Sequence, residues 1–247
     1  MRKLCEGMQK MFANWIKKVS KLRESSIYKY SHAVNTISRE MLERGTINKP
    51  LNEMELYEID LSLCLIFKDN YFINKNKTGD YMYSNALKWY RYYISSNCEN
   101  STAAEAEELK IKQNTEITET ERTALVKSRI GQGLFRDNLL EKYHSCIITH
   151  IDIPNVLIAS HIKPWAVCSN IERLNPNNGL LLSATFDRLF DGGLIMFKPS
   201  GEIVLSKFIT DDNRERLRIK TGTTYDLKYS LDMKDFLEYH ESMIFLR

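Results

Sequence analysis

Apolar residues recur at intervals of three and four through the first third of the chain. Met11, Phe12, Trp15, Ile16, Val19 and Leu22 form one series, and Tyr28, Tyr30, Ala33, Ile37, Met41 and Leu42 a second. That spacing lines each set along one stripe of an α-helix, the stripe that turns towards a core. Leu51 to Ile66 and Ser84 to Ile94 continue the pattern. Breaks are expected at Asn48-Lys49-Pro50 and across the Asn-, Lys- and Gly-rich run from Asn70 to Asp80. Residues 1–94 are therefore read as an all-helical domain. From Ser95 to about Ile117 the chain turns polar and loses any apolar stripe, which predicts a linker over 95–117. Thr118-Glu119-Thr120-Glu121 has the form of a capping box that opens the next helix, so a second domain is expected over 118–247.

The periodicity then changes. Val156 to Ile162 is apolar and partly β-branched, as in a buried strand, and Pro164 stops its ladder. Asn175-Pro176-Asn177-Asn178-Gly179 is a turn signal ahead of a second apolar run, Leu180-Leu181-Leu182. Ser183 or Thr185 can cap a short helix from Ala184 to Asp191, which Gly192-Gly193 would end. The order is strand, loop, strand, helix. Beyond it, Leu194 to Phe197 and Glu202 to Ser206 flank Lys198-Pro199-Ser200-Gly201 as a hairpin, Asp211 to Lys220 is a charged run, and Met233 to Leu246 closes the chain as a helix or strand. The predicted class is α+β.

Composition narrows the partners. No apolar run reaches about eighteen residues and no charged start leads into a cleavable apolar segment, so neither a membrane span nor a signal peptide is expected and a cytoplasmic protein is. The five cysteines, Cys5, Cys64, Cys98, Cys146 and Cys168, include no Cys-x-x-Cys pair and fit reduced, mostly buried thiols. A zinc set of His144, Cys146, His150 and Cys168 would match no common ligand spacing. The net charge of +3 is unevenly spread, with +6 over residues 1–94, −3 over 95–128 and zero over 129–247. Basic charge beside Tyr28, Tyr30, Tyr90, Arg91, Tyr92 and Tyr93 suits contact with a DNA backbone. The same residues equally suit a core of aromatics under an ordinary solvated lysine face.

The chemistry concentrates between Ile158 and Phe197. Asp187 and Asp191 stand four apart on the predicted helix, so their carboxylates share a face one turn apart. Two such charges repel unless a cation relieves them, and hard carboxylate oxygens with water and phosphate suit magnesium. Ser160-His161, then Asn178, then Asp187 and Asp191 resemble the ββα-metal motif of HNH endonucleases, in the subgroup with aspartate at the final His position. The Arg129 to Arg136 block, Tyr143 to Thr149 with Cys146, and His161-Ile162-Lys163-Pro164-Trp165 resemble the HNH domain of restriction endonucleases. The resemblance spans roughly Thr120 to Leu205, about a third of the chain.

That resemblance implies a helical domain followed by a ββα-metal nuclease domain acting on double-stranded DNA. It implies His161 as general base and Asn178 as the side chain that ties the loop to the strand. It makes Asp187 a ligand of Mg²⁺, or of another divalent cation such as Mn²⁺, with Asp191 a further ligand or phosphate contact. Ser160 stands where many relatives have a stronger ligand, and a hydroxyl binds metal weakly. Lys163 and Arg188 adjoin these residues and are candidate phosphate contacts. Arg129, Gln132 and Arg136, at helical spacing, are candidate DNA contacts or else a surface ion-pair face, and Gly131 and Gly133 weaken the helix there. One such motif makes one cut, so double-strand cleavage implies a homodimer or two encounters. The alternatives are an inactive HNH-fold nucleic-acid-binding protein and a non-specific or RNA-directed nuclease.

Overall fold

The computed structural model of the chain describes residues 2–97 and 119–247, with side chains over 7–97 and 131–247. The expected linker and the Thr118 cap fall largely outside the described residues, as does the Arg129 side chain. Among the described residues no helix is long and apolar enough to cross a membrane.

Five helices build the first part: α1 (Arg2–Val19), α2 (Glu24–Glu43), α3 (Leu56–Ile66), α4 (Asn70–Thr78) and α5 (Met82–Asn97). They close on α5, whose Trp89, Tyr90 and Tyr93 are buried against Phe12, Ile16, Ile37 and Met41. The predicted break over Asn70 to Asp80 is corrected, because α4 fills most of it. Asp69 caps its start, accepting from the backbone N–H groups of Tyr71 and Phe72 at 2.8 and 3.2 Å. Phe72 is buried, and Asn76 Oδ1 accepts from the Ser84 N–H at 2.9 Å, so tertiary contacts override weak helix formers. The tyrosines split: Tyr28 is 64% exposed, whereas Tyr90 and Tyr93 belong to the core.

The second part opens with α6 (Glu119–Tyr143), which runs straight through Gly131 and Gly133. A Cβ on Gly131 would lie 2.9 Å from Leu174 Cδ2, the end of an exposed side chain that can shift. The strands β1 (Leu157–His161) and β2 (Gly179–Ser183) pair antiparallel, with Leu157 opposite Ser183 and His161 opposite Gly179. Between them lies the short helix α7 (Asn170–Leu174), capped by a Ser169–Glu172 box. The helix α8 (Ala184–Asp191) follows β2 directly, with Ser183 in the N-cap position but making no side-chain cap bond. It ends as predicted at Gly192-Gly193: Gly193 takes φ +69°, and the Leu194 N–H reaches back to the Leu189 carbonyl at 2.8 Å. The paired strands are packed by α6 and α8, which buries all of β2 and, in β1, Leu157 and Ser160.

A second hairpin, β3 (Ile195–Phe197) with β4 (Ile203–Leu205), turns through Lys198 to Gly201. The charged run forms α9 (Asp211–Leu217), capped by Thr210, and α10 (Lys234–Tyr239) continues into a π-turn over His240–Ile244. The last residues return to the helical part: Leu246 is buried in its core, and Lys88 Nζ donates to the Phe245 carbonyl at 3.1 Å. Trp89 meets Phe208 edge to face at 4.6 Å, and α3 packs on the turn over Trp165–Val167.

Candidate active site

His161 is the last residue of β1. Because strand side chains alternate, it faces away from Ser160 and towards α6. Its ring stacks on Phe135 with centroids 3.8 Å apart and an interplanar angle of 12°, and meets Trp165 edge on at 5.5 Å. The residue opposite is Gly179, and its lack of a side chain is what lets Phe135 in. A Cβ there would stand 2.5 Å from Phe135 Cζ and 2.6 Å from Leu139 Cδ1. Nε2 lies 3.1 Å from the Arg173 carbonyl oxygen. A carbonyl only accepts, so Nε2 carries the hydrogen and Nδ1 keeps its lone pair. Burial pushes the ring's pKa down to about 4; the Arg173 carbonyl opposes that, and the Arg173 guanidinium adds to it. The imidazole is neutral near pH 7.

Asn178 is fully buried and ties the loop after β1 to the start of β2. Its Oδ1 accepts from the Lys163 N–H at 2.9 Å, while Nδ2 donates to the Glu172 carbonyl at 3.2 Å, the Lys163 carbonyl at 3.4 Å and Cys168 Sγ at 3.2 Å. A carboxylate or hydrocarbon at this position could not both donate and accept in this way.

On the other face of β1, α8 brings Asp187 beside Ser160. Asp187 is 7% exposed, and burial raises its pKa, with Ser160 and Arg188 pulling it back. The Ser160 hydroxyl thus lies near enough to favour the carboxylate, yet it is buried without a well-formed hydrogen bond. Asp191 is also pushed up, by its protein-dense surroundings and by the charge of Asp187, against Arg91 and Arg188. Part of Asp191 meets water, which screens the charge and moderates that push. The structure therefore groups Ser160, Asp187 and Asp191 on one face of the strand and sets His161 on the other. A buried hydroxyl beside two carboxylates that repel each other fits a hard divalent cation. Among the described residues no three His, Cys, Asp or Glu side chains converge, so a cation here would complete its shell with water and phosphate oxygens, and His144, Cys146, His150 and Cys168 form no cage.

The cations expected to touch DNA have protein partners. Lys163 Nζ bonds Glu172 at 2.6 Å, and Arg136 donates to the Leu157 and Pro154 carbonyls at 2.7 and 2.6 Å. Arg188 is exposed on α8, and Gln132 is partly exposed on α6. Several contributors escaped the reading of the sequence. The Phe135 stack and the Arg173 carbonyl could not be foreseen, whereas Gly179, directly after Asn178, and Arg91, a cation among the aromatic residues of α5, were visible signals of close packing.

Among curated proteins no match is found. Residues 146–198 match a family model described as HNH endonuclease, a span that runs from Cys146 through β1, Asn178, β2 and α8 to the end of β3. The chain thus carries an HNH endonuclease domain over these residues.

Proposed function

We propose that the protein is a metal-dependent DNA endonuclease of the restriction or defence type, with His161 as general base and Asp187 and Asp191 as the metal-holding carboxylates. The observation that carries this reading is the state of His161: a neutral ring, fixed by Phe135 and the Arg173 carbonyl, with Nδ1 left to accept a proton. A general base must be unprotonated and oriented at the working pH, and the neutral, fixed ring supports that role for His161.

In the proposed reaction His161 Nδ1 takes a proton from water as the water oxygen bonds to phosphorus. The bond from phosphorus to the 3′ oxygen breaks, leaving a 5′ phosphate, and the 3′ oxygen is protonated to a hydroxyl. Asn178 holds the loop that carries Lys163 and Pro164, and so fixes where β1 ends. Asp187, Asp191 and Ser160 would hold a divalent cation such as Mg²⁺ or Mn²⁺, which when bound supplies charge stabilisation to the phosphorane and the leaving oxygen. Because base and carboxylates sit on opposite faces of β1, the phosphate would cross the end of that strand and be reached from both sides. Arg188, exposed beside the carboxylates, is the favoured phosphate contact; Lys163, Arg136, Gln132 and Arg129 are secondary. Cutting both strands with one such site calls for two copies of the chain or two successive encounters.

The test is cleavage of modified and unmodified phage and plasmid DNA, with Mg²⁺, Mn²⁺ or EDTA, beside the His161→Ala variant. Discrete fragments that require both metal and His161 support the reading. Cleavage that persists without His161 refutes the assignment of the base, and binding without any cleavage points to an inactive HNH-fold binding protein.

A further inference from the structure

The mechanism leaves the buried cation Arg91 without a task. Arg91 sits mid-helix in α5 and is 6% exposed. Its Nε and Nη2 donate to the two carboxylate oxygens of Asp60 on α3, at 2.5 and 3.3 Å, and its Nη1 donates to the backbone carbonyl of Asp191 at 2.7 Å. Asp60 is as deeply buried. A buried ion pair is a poor way to gain stability, since apolar residues of similar volume often do as well. What a planar guanidinium adds is direction: anchored by Asp60, its third donor has one place to point.

That place is the end of α8, where helix carbonyls lack intrahelical partners and a cation complements the helix dipole. Two independent contacts hold the same joint. The Tyr92 ring, next along α5, comes within 2.7 Å of where a Cβ on Gly192 would stand. His240 Nε2 donates to the Phe190 carbonyl at 3.0 Å. The last two carbonyls of α8 are thus held by side chains from α5 and from the C-terminal π-turn. The helix they hold is the one that carries Asp187 and Asp191.

We propose that Arg91, oriented by Asp60, is a positioning residue that sets the rotation and axial position of α8, so that both carboxylates serve one cation. The helical part then completes the active site whether or not it also reads DNA. This rests on the nuclease reading above.

The test compares three variants with the parent and with His161→Ala. Arg91→Met with Asp60→Leu removes both charges together and so strands neither in the core. Arg91→Lys keeps a charge near Asp60 but gives up the fork that reaches the Asp191 carbonyl. Asp60→Asn keeps that fork and loosens only its anchor. The readouts are the thermal midpoint, Mn²⁺ affinity of the free protein by calorimetry, and kcat and KM on DNA. Groups that orient metal ligands typically shift metal affinity by about 10- to 100-fold. Arg91→Lys and the double variant should therefore lose Mn²⁺ affinity by that order and lose kcat with little change in KM, with Asp60→Asn in between. Folded Arg91→Lys, or a folded double variant, with the parent's Mn²⁺ affinity and kcat overturns the proposal. Should the double variant not fold, Arg91→Lys alone decides by the same readouts. A parent that cleaves no nucleic acid sinks the nuclease reading, while the Mn²⁺ comparison still decides the role of Arg91.

Discussion

Gly179→Ala isolates the geometry around His161 without touching a polar group. The added Cβ would stand 2.5 Å from Phe135 Cζ and 2.6 Å from Leu139 Cδ1, whereas carbon pairs are comfortable near 3.5 to 4.0 Å. Something must move by roughly 1 Å. Neither ring nor leucine has room, since Phe135 is 2% exposed and Leu139 fully buried. Overpacking of this kind costs about 1–3 kcal/mol, which at this chain length lowers the thermal midpoint by roughly 2–12 °C. The functional effect should be larger than the loss of stability suggests, because Phe135 is the surface on which His161 lies. A ring displaced by that distance no longer holds the imidazole against the Arg173 carbonyl, and a misplacement of about 1 Å can cost 10²-fold in rate. Pairing Gly179→Ala with Phe135→Leu should restore much of the midpoint, by making room, but not the cleavage rate. Thermal melts and single-turnover cleavage measure the two effects separately. A Gly179→Ala protein with the parent's midpoint and rate would falsify the argument that this glycine makes room for the stack.

Other outcomes follow from the same contacts. His161→Ala should lower cleavage by about 10²- to 10⁴-fold while DNA binding, measured by gel shift, stays near the parent's. Asp187→Ala should abolish Mn²⁺ binding and metal-dependent cleavage together; calorimetry showing intact Mn²⁺ binding would place the cation elsewhere. His240 is fully buried, with burial pushing its pKa to about 3 from an ordinary value near 6.5. The unfolded chain binds that proton first, so the contribution of His240 is complete above about pH 6.5 and is lost as pH falls towards 3, by several kcal/mol in all. His240→Gln, which keeps an N–H for the Phe190 carbonyl, should flatten that acid limb in urea melts; an unchanged slope assigns it to other groups, with His161 the next to test. Deleting residues 1–94 uncovers Phe208 and Leu246 and frees the Asp191 carbonyl, so the remainder should precipitate or melt far below the full chain. A soluble, cooperative fragment would show that these contacts are dispensable.

The strand, turn, strand and helix around the site were legible because each has a local cause: β-branched runs, an Asn-Pro-Asn-Asn-Gly turn and a glycine pair that ends a helix. The spacing of Asp187 and Asp191 likewise follows from helix geometry alone. What stayed hidden depends on partners far away in sequence. The segment from Asn70 to Thr78 reads as a loop by propensity, and becomes a helix because Asp69 caps it and Phe72 finds a core. Gly131 reads as a helix breaker and lies inside α6, close to Leu174. Lys163 reads as a phosphate contact and Arg136 as a DNA contact or part of a surface ion-pair face, and their partners, Glu172 and two backbone carbonyls, can be named only once the loop is folded. Arg91 illustrates the same limit: sequence shows a cation among aromatics, and only the fold shows what it grips.

The return of the chain end to its beginning bears on how the protein is made. Lys88 and the Phe245 carbonyl that it holds are 157 residues apart, and at a synthesis rate of about 5–20 residues per second the first waits roughly 8–30 s for the second. Until then the helical core lacks Leu246, and the π-turn that supplies His240 to the end of α8 has not been made. A ribosome-bound chain can therefore hold every residue of the HNH motif while the His240 contact at the end of α8 is still missing.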